Sequence, residues 1–322
     1  MRSLVCTTPG TLIYRDIPEP LPAAGRSILR IRRIGVCGTD LHAFQGTQPY
    51  FTYPRILGHE LAGEVGGEAY SVLPYISCGT CIACLRGKPN CCATLQVCGV
   101  HTDGGMAEYL SVPTTNLVPS GGLSLDALCM VEPLAIGAHG VARAGVSEGE
   151  WVVVMGAGPI GLSAVTFALD AGARVIVLDT NEWRLSFCQE RLAVSCVLAG
   201  PGSIKAIKDL TGGSLASVVI DATGNLAAIQ GGLDYLSQGG RYVLLGLQKE
   251  PFSFSHPEFH RKEATLMSSR NATRADYDCA ISSILAGRVD PMSWVTARVG
   301  FAEAGAAFPT WGPEVIKAMI IL

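Results

Sequence analysis

Three short stretches carry the residues whose types could do metal chemistry. Gly35-Val36-Cys37-Gly38-Thr39-Asp40-Leu41-His42 brings a thiol, a hydroxyl and an imidazole, Gly58-His59-Glu60 an imidazole and a carboxylate, and Val131-Glu132-Pro133 a second carboxylate. Each has a plainer reading by itself. A lone cysteine is most often a small buried residue, and a His-Glu pair most often sits at a surface or a cap. Together, one thiolate, one imidazole and two carboxylates suffice for a zinc site with a position left open to substrate or water. A Lewis acid there would lower the pKa of a bound hydroxyl and so prepare it to give up a hydride. The released proton must reach water, and Thr39 with His42 could relay it. The alternative for His42 is a hydrogen-bonded histidine of the core.

A second cluster lies in Ser77-Cys78-Gly79-Thr80-Cys81-Ile82-Ala83-Cys84, followed by Cys91-Cys92. Cys78, Cys81, Cys84 and Cys92 can wrap a tetrahedral ion and leave no ligand position for water, which describes a structural zinc. Cys91 competes with Cys92 for the fourth place. A disulfide cluster and an iron–sulfur centre are the other uses of such spacing.

A third constellation begins where the apolar run Trp151–Met155 meets Gly156-Ala157-Gly158-Pro159-Ile160-Gly161. A strand before and a helix after this pattern make it a dinucleotide fingerprint. Gly156 allows the tight turn, Gly158 the approach of a pyrophosphate, and Gly161 close helix–strand packing. The helix N-terminus, at Pro159 and Ile160, offers free N–H groups to the phosphates. Asp179 ends the next strand about 20 residues on, where a carboxylate can bind the adenosine ribose hydroxyls. It would repel a 2′-phosphate, so NAD is favoured over NADP. Arg184 could argue for NADP, could stack on adenine, or could cap a helix, and Asp179 could itself be only a cap.

These residues need elements to hold them. The first ~125 residues hold short β-like runs broken by Gly and Pro, such as Ser27–Ile34, Gly63–Val65 and Met106–Val112, which suggests a small barrel-like β domain. From about Val146 strands alternate with helices: strand Trp151–Met155, helix Leu162–Ala171, strand Arg174–Asp179, helix Trp183–Leu192, then strands Val218–Ala222 and Arg241–Leu247. That alternation predicts βαβ units and a parallel sheet. After about Met267 shorter mixed elements return, and this C-terminal segment is expected to complete the first lobe.

Composition narrows the class. The chain has 322 residues, 48% of them hydrophobic, with 38 glycines and a net charge of −3. It can bury a substantial core and is not a disordered chain. No basic run points to nucleic acid or to an anionic membrane. No apolar stretch approaches the ~20 residues of a membrane span, and the N-terminus does not read as a signal peptide. Twelve cysteines then fit a reducing, cytoplasmic setting as metal ligands and buried thiols.

The motifs GVCGTDLH, GHELAGEV, CGTCIACLRGKPNCC, VEPLAIGAHG, GAGPIG and VVIDATG are jointly specific, and with them the chain resembles the zinc-containing medium-chain dehydrogenase/reductase family along its whole length. The resemblance implies an α/β protein: a GroES-like β-rich catalytic domain over 1–134 and 268–322, and a Rossmann domain with a doubly wound parallel sheet over 135–267. It implies a catalytic zinc on Cys37 and His59, with Glu60 and Glu132 completing the metal shell directly or through water. It also implies a structural zinc on the four cysteines, a proton relay through Thr39 and His42, and NAD as cofactor. Asp179 and Arg184 match the ribose contacts, and Thr223, Gly246, Arg270 and Asn271 join the candidate cofactor residues. A homodimer or homotetramer is the expected assembly.

Within the family, LQVCGVHTDGGMAEY and Ser268-Ser269-Arg270-Asn271-Ala272-Thr273 resemble the branch acting on sugar acids, which includes L-gulonate and L-galactonate 5-dehydrogenases and is close to sorbitol and threonine dehydrogenases. The expected substrate is a polyol or sugar acid. Arg270 could meet a substrate carboxylate or be a structural ion-pair residue. Threonine 3-dehydrogenase, a simple alcohol dehydrogenase and a non-catalytic NAD- and zinc-binding protein are the competing readings. Two departures stand out. About a dozen residues are missing between Val65 and Tyr70, judged against the resemblance, so a barrel hairpin close to His59 is expected to be trimmed or lost. Thr296-Ala297-Arg298 replaces a segment in which close relatives often carry a histidine.

Overall fold

The computed structural model describes residues 1–322. They form two compact units, one of Met1–Glu132 with Ala272–Leu322 and one of Pro133–Asn271. The first is built around the long strand Arg26–Val36, whose Leu29, Ile31 and Ile34 are fully buried. This strand pairs antiparallel with Glu60–Val65, Tyr109–Pro113 and Lys317–Ile321. The last of these pairs in parallel with Val295–Gly300, so the C-terminal segment supplies two strands to a sheet begun near the N-terminus. Leu57, Leu61 and Met106 complete the middle of the core. Each such side chain contributes about 2 kcal/mol by leaving water.

The segment from Val65 to Tyr70 closes as a tight hairpin. Glu60–Val65 pairs with Glu68–Val72 from Ala62 opposite Ser71 to Val65 opposite Glu68. Gly66 and Gly67 make the turn, with φ of 59° and 92°. A two-residue hairpin loop with both φ positive matches the twist of its strands, and glycine adopts it without a Cβ clash. The hairpin's ladder is continuous from Ala62 to Val65. The expected strand Met106–Val112 begins only at Tyr109. Met106 instead donates its N–H to Leu57 O at 2.9 Å and accepts from Leu4 N at 2.8 Å, bonding outside that ladder.

The second unit holds six parallel strands in the order Ser195–Leu198, Arg174–Asp179, Trp151–Met155, Ala216–Asp221, Leu236–Leu244 and Thr265–Ser268. This is the doubly wound arrangement, with its reversal of strand order between Trp151–Met155 and Ala216–Asp221. Val152, Val153 and Val154 are all fully buried, as a strand covered on both faces requires. The strand expected to run to Leu247 ends at Leu244, because the N–H groups of Leu245 and Gly246 turn to Asp221 O at 2.8 and 3.1 Å. No helix is long and apolar enough to cross a membrane.

Arg298, the departure noted near the C-terminus, has a structural partner. Its guanidinium lies 2.6 Å from Asp126, and Arg33 reaches the other oxygen of the same carboxylate at 2.5 Å. Partial burial works to raise the Asp126 pKa, but the bonds from Arg33 and Arg298 outweigh it and hold the carboxyl below its usual range. Asp126→Asn is expected to cost about 1 kcal/mol at neutral pH, as for a partly exposed ion-pair network. The wild-type advantage should be full above the ordinary carboxylate pKa and vanish as the pH falls through the depressed one. Urea unfolding of both proteins between neutral and strongly acidic pH checks this.

Candidate metal and cofactor sites

Cys37 ends the strand Arg26–Val36 and stands at the N-cap of the helix Gly38–Gln45. Asp40, three residues into that turn and 1% exposed, accepts from Cys37 N at 2.9 Å. Its other oxygen accepts from Gly58 N at 3.0 Å. One buried carboxylate thus ties the turn bearing Cys37 to the loop bearing His59. His59 Nδ1 lies 3.9 Å from Asp40 Oδ1 and is buried without a hydrogen-bond partner. A carboxylate on that side favours the proton on Nδ1 and leaves the Nε2 lone pair for another group.

Glu60 opens its strand directly opposite Gly35. A Cβ on residue 35 would stand 2.1 Å from Glu60 Oε2, so glycine is what makes room for this carboxylate. The donor atoms of Cys37, His59 and Glu60 all lie within 4.8 Å of one another. Modest side-chain adjustment would let them converge on one ion with ligand distances of ~2.0–2.3 Å. The electrostatics also favour a cation. Burial works to lower the His59 pKa, yet Cys37, which also hydrogen-bonds the ring, with Asp40 and Glu132, holds it well above the ordinary imidazole value.

Glu132 is buried at 3% exposure and accepts a hydrogen bond from the Tyr75 hydroxyl. It stands outside the three-donor cluster. Burial raises its pKa, against the pull of His59 and of the Tyr75 bond. Burial and the charge of Glu132 hold Tyr75 well above the usual phenol range, so the phenol is the donor. Thr39 and His42 share the helix Gly38–Gln45, with Thr39 half-buried and His42 exposed. The alternative of a core histidine therefore fails for His42, whose Nδ1 lies 3.0 Å from Thr47 Oγ1.

Cys78, Cys81, Cys84 and Cys92 bring their sulfurs within 4.8 Å of one another, while Cys91 is outside this cluster and exposed. The Cys81–Cys84 and Cys78–Cys92 sulfurs are each 3.5 Å apart. Four sulfurs at ~2.3 Å from a common tetrahedral centre would lie ~3.8 Å apart, so the cage fits zinc. All twelve cysteines are free thiols, which removes the disulfide alternative. N–H and hydroxyl donors of Thr80 and the N–H of Cys81 lower the Cys78 pKa to about 5, favouring the thiolate a metal needs.

In the second unit Gly156 turns with φ 97° and Gly158 caps the helix Pro159–Asp170, with proline in its first turn. A Cβ on Gly161 would sit 1.7 Å from Gly156 O. Asp179 accepts from Ala157 N at 2.6 Å and from Asn181 N at 2.8 Å. Asn181, not Asp179, caps the following helix, through Trp183 N and Arg184 N at 2.9 and 3.2 Å. The Asp179 carboxylate is thus tied to the glycine turn itself, and Arg184 Nη1 lies 3.8 Å from where a Gly158 Cβ would be. Thr223 Oγ1 donates to Asp221 at 2.5 Å, and a Cβ on Gly246 would stand 2.1 Å from Gly224 N. Arg270 and Asn271 follow the strand Thr265–Ser268, with Asn271 in the left-handed region at φ 56°.

Sequence reasoning missed Gly35, Asp40, Tyr75 and Lys317, which donates to both oxygens of Glu60. Asp40 had a signal: an acid three residues after a cap position returns to the cap N–H. Lys317 had none, lying 257 residues from its partner.

Residues 23–122 match the family described as alcohol dehydrogenase GroES-like domain, and residues 159–286 match zinc-binding dehydrogenase. The L-galactonate-5-dehydrogenase of Escherichia coli K12 is 41% identical over 96% of this chain and 94% of its own length. The sorbitol dehydrogenase of Halalkalibacterium halodurans is 31% identical over 99% of each. Among solved structures, an alcohol dehydrogenase from Escherichia coli CFT073 complexed with NADH superposes with a TM-score of 0.92 at 29% identity, over 100% of this chain and 99% of that one.

Proposed function

Because this chain belongs to the zinc-containing alcohol dehydrogenase family, as a nicotinamide-linked alcohol or polyol dehydrogenase, we propose that it oxidises a secondary hydroxyl of a sugar acid, in the manner of an L-gulonate or L-galactonate 5-dehydrogenase. The observation that carries this reading is the donor set. One thiolate, one imidazole and one buried carboxylate gather there, in place of the second thiolate of the Cys2His set of a simple alcohol dehydrogenase, within a chain similar end to end to an L-galactonate-5-dehydrogenase.

Cys37 and His59 would be the fixed metal ligands, and Glu60 and Glu132 would complete the shell, directly or through water. Zinc bound there supplies Lewis acidity that makes a substrate hydroxyl a stronger acid. Asp40 holds Cys37 and His59 in register. Thr39 and the exposed His42 give the hydroxyl proton a route to water. NAD bound in the second unit would supply the hydride acceptor. Gly156, Gly158, Pro159, Ile160 and Gly161 hold its pyrophosphate, and Asp179 and Arg184 its ribose. Thr223, Gly246, Arg270 and Asn271 line the rest of the cofactor site. Cys78, Cys81, Cys84 and Cys92 hold a structural zinc.

A panel of L-galactonate, L-gulonate, sorbitol, L-threonine and simple secondary alcohols with NAD tests the reading through kcat/KM. Sugar acids should exceed sorbitol by about 100-fold or more, because a site built to bind a substrate's polar group rejects the analogue that lacks it. Preference for threonine or a simple alcohol would overturn the sugar-acid assignment. NADH binding without turnover of any member would overturn the catalytic one.

A further inference from the structure

Asp221 ends the strand Ala216–Asp221 with its side chain fully buried. A carboxylate so placed is costly unless hydrogen bonds surround it. Its partners come from two separate loops. In the loop after its own strand, Thr223 Oγ1 and Thr223 N donate to Oδ1 at 2.5 and 3.3 Å, and Gly224 N donates to Oδ2 at 3.2 Å. In the loop after the neighbouring strand Leu236–Leu244, Leu245 N and Gly246 N donate to its main-chain oxygen at 2.8 and 3.1 Å. The two loops are in close contact. A Cβ on Gly246 would stand 2.1 Å from Gly224 N and 2.8 Å from Asp221 Oδ2. One residue therefore ties both loops together.

Thr223 is committed as well. Its single hydroxyl proton goes to Asp221, and its oxygen accepts from Asn225 N at 3.0 Å. These bonds fix the side chain, whose methyl lies 3.0 Å from where a Cβ on Gly156 would be, against the glycine turn. Topology indicates which part of a dinucleotide such loops would meet. In a doubly wound sheet each half takes one mononucleotide. The glycine turn and Asp179 belong to the half that would take the adenosine. The strands Ala216–Asp221 and Leu236–Leu244 belong to the other half, across the reversal in strand order.

We propose that Asp221 is a positioning residue for the nicotinamide half of NAD, holding Thr223, Gly224 and Gly246 in the surface on which that half rests. The proposal rests on the assignment of NAD to these strand ends. A carboxylate suits the task because both of its oxygens accept. An amide of the same size offers one acceptor and turns two donors towards the loop.

The test compares NADH with ADP, which lacks the nicotinamide half, on the full zinc-loaded chain. In Asp221→Asn, NADH affinity should fall by about tenfold, the scale of charge-assisted hydrogen bonds lost in a buried site. ADP affinity should stay within about twofold, as for an independent contact. Equal loss of both ligands would overturn the proposal, because a merely structural residue would loosen the whole sheet. So would unchanged affinity for both. If Asp221→Asn does not fold, Thr223 decides. Thr223→Val removes the hydroxyl and keeps the shape, whereas Thr223→Ser keeps the hydroxyl. The valine variant should bind NADH more weakly and ADP as before, and the serine variant should match wild type with both. Valine and serine variants that bind NADH alike would overturn the proposal. Failure of the cofactor assignment looks different, since the wild-type chain would then bind neither NADH nor ADP.

Discussion

Cys37→Ala is expected to lower the metal content by one ion per chain and to reduce kcat/KM by about 1000-fold or more, the ~4 kcal/mol scale of a Lewis acid's charge stabilisation. The residue is doubly committed. Its sulfur belongs to the three-donor cluster with His59 and Glu60, and its backbone N–H is held by Asp40. Alanine keeps the backbone bond, so the helix Gly38–Gln45 and its cap should survive, and thermal unfolding should shift little. The four-cysteine cage is separate in sequence and should retain its ion. Metal analysis, kinetics and circular dichroism on one preparation check all three points. Wild-type turnover with one ion per chain would overturn the assignment of Cys37.

Gly161→Ala should be the most damaging single methyl group in the second unit. The added carbon would sit 1.7 Å from Gly156 O, a backbone atom that cannot swing aside. Relief requires the helix Pro159–Asp170 to lift from the turn it packs against. Overpacking of this kind costs about 2–3 kcal/mol. The same movement displaces the N–H groups at the helix start from the phosphate position, so NADH affinity should fall by about tenfold or more, at 1.4 kcal/mol per decade. Fluorescence titration with NADH and chemical unfolding measure the two effects. Unchanged NADH affinity in a destabilised variant would show that this turn does not hold the pyrophosphate.

The parts of the fold legible in the sequence are those encoded by neighbours. The run Trp151–Met155 and the glycines after it announce strand, turn and helix within a few residues, and the alternation that follows calls for a parallel sheet. Cys37, His59 and Glu60 stand together because two short motifs end on adjacent strands of one sheet. What the sequence could not show depends on chain crossings between distant segments. Tyr75 reaches Glu132 across 57 residues and Lys317 reaches Glu60 across 257. A lysine in a short apolar strand carries no local mark of its partner. The strand ends at Leu244 and Tyr109 depart from the hydrophobic pattern for a related reason. Hydrophobic pattern reports burial, whereas a strand ends where its N–H groups find other acceptors, here Asp221 O and Leu57 O.

The Gly66-Gly67 turn bears on how this chain tolerates change in length. Its two glycines project from the end of a ladder, with open space around both. Loop closure costs chain entropy that rises only with the logarithm of length. Extending the tip from two residues to about fourteen would cost about 2 kcal/mol. A peptide epitope or a fluorescent reporter spliced between Gly66 and Gly67 should therefore leave the fold standing, and would mark this tip as a site for labelling the enzyme.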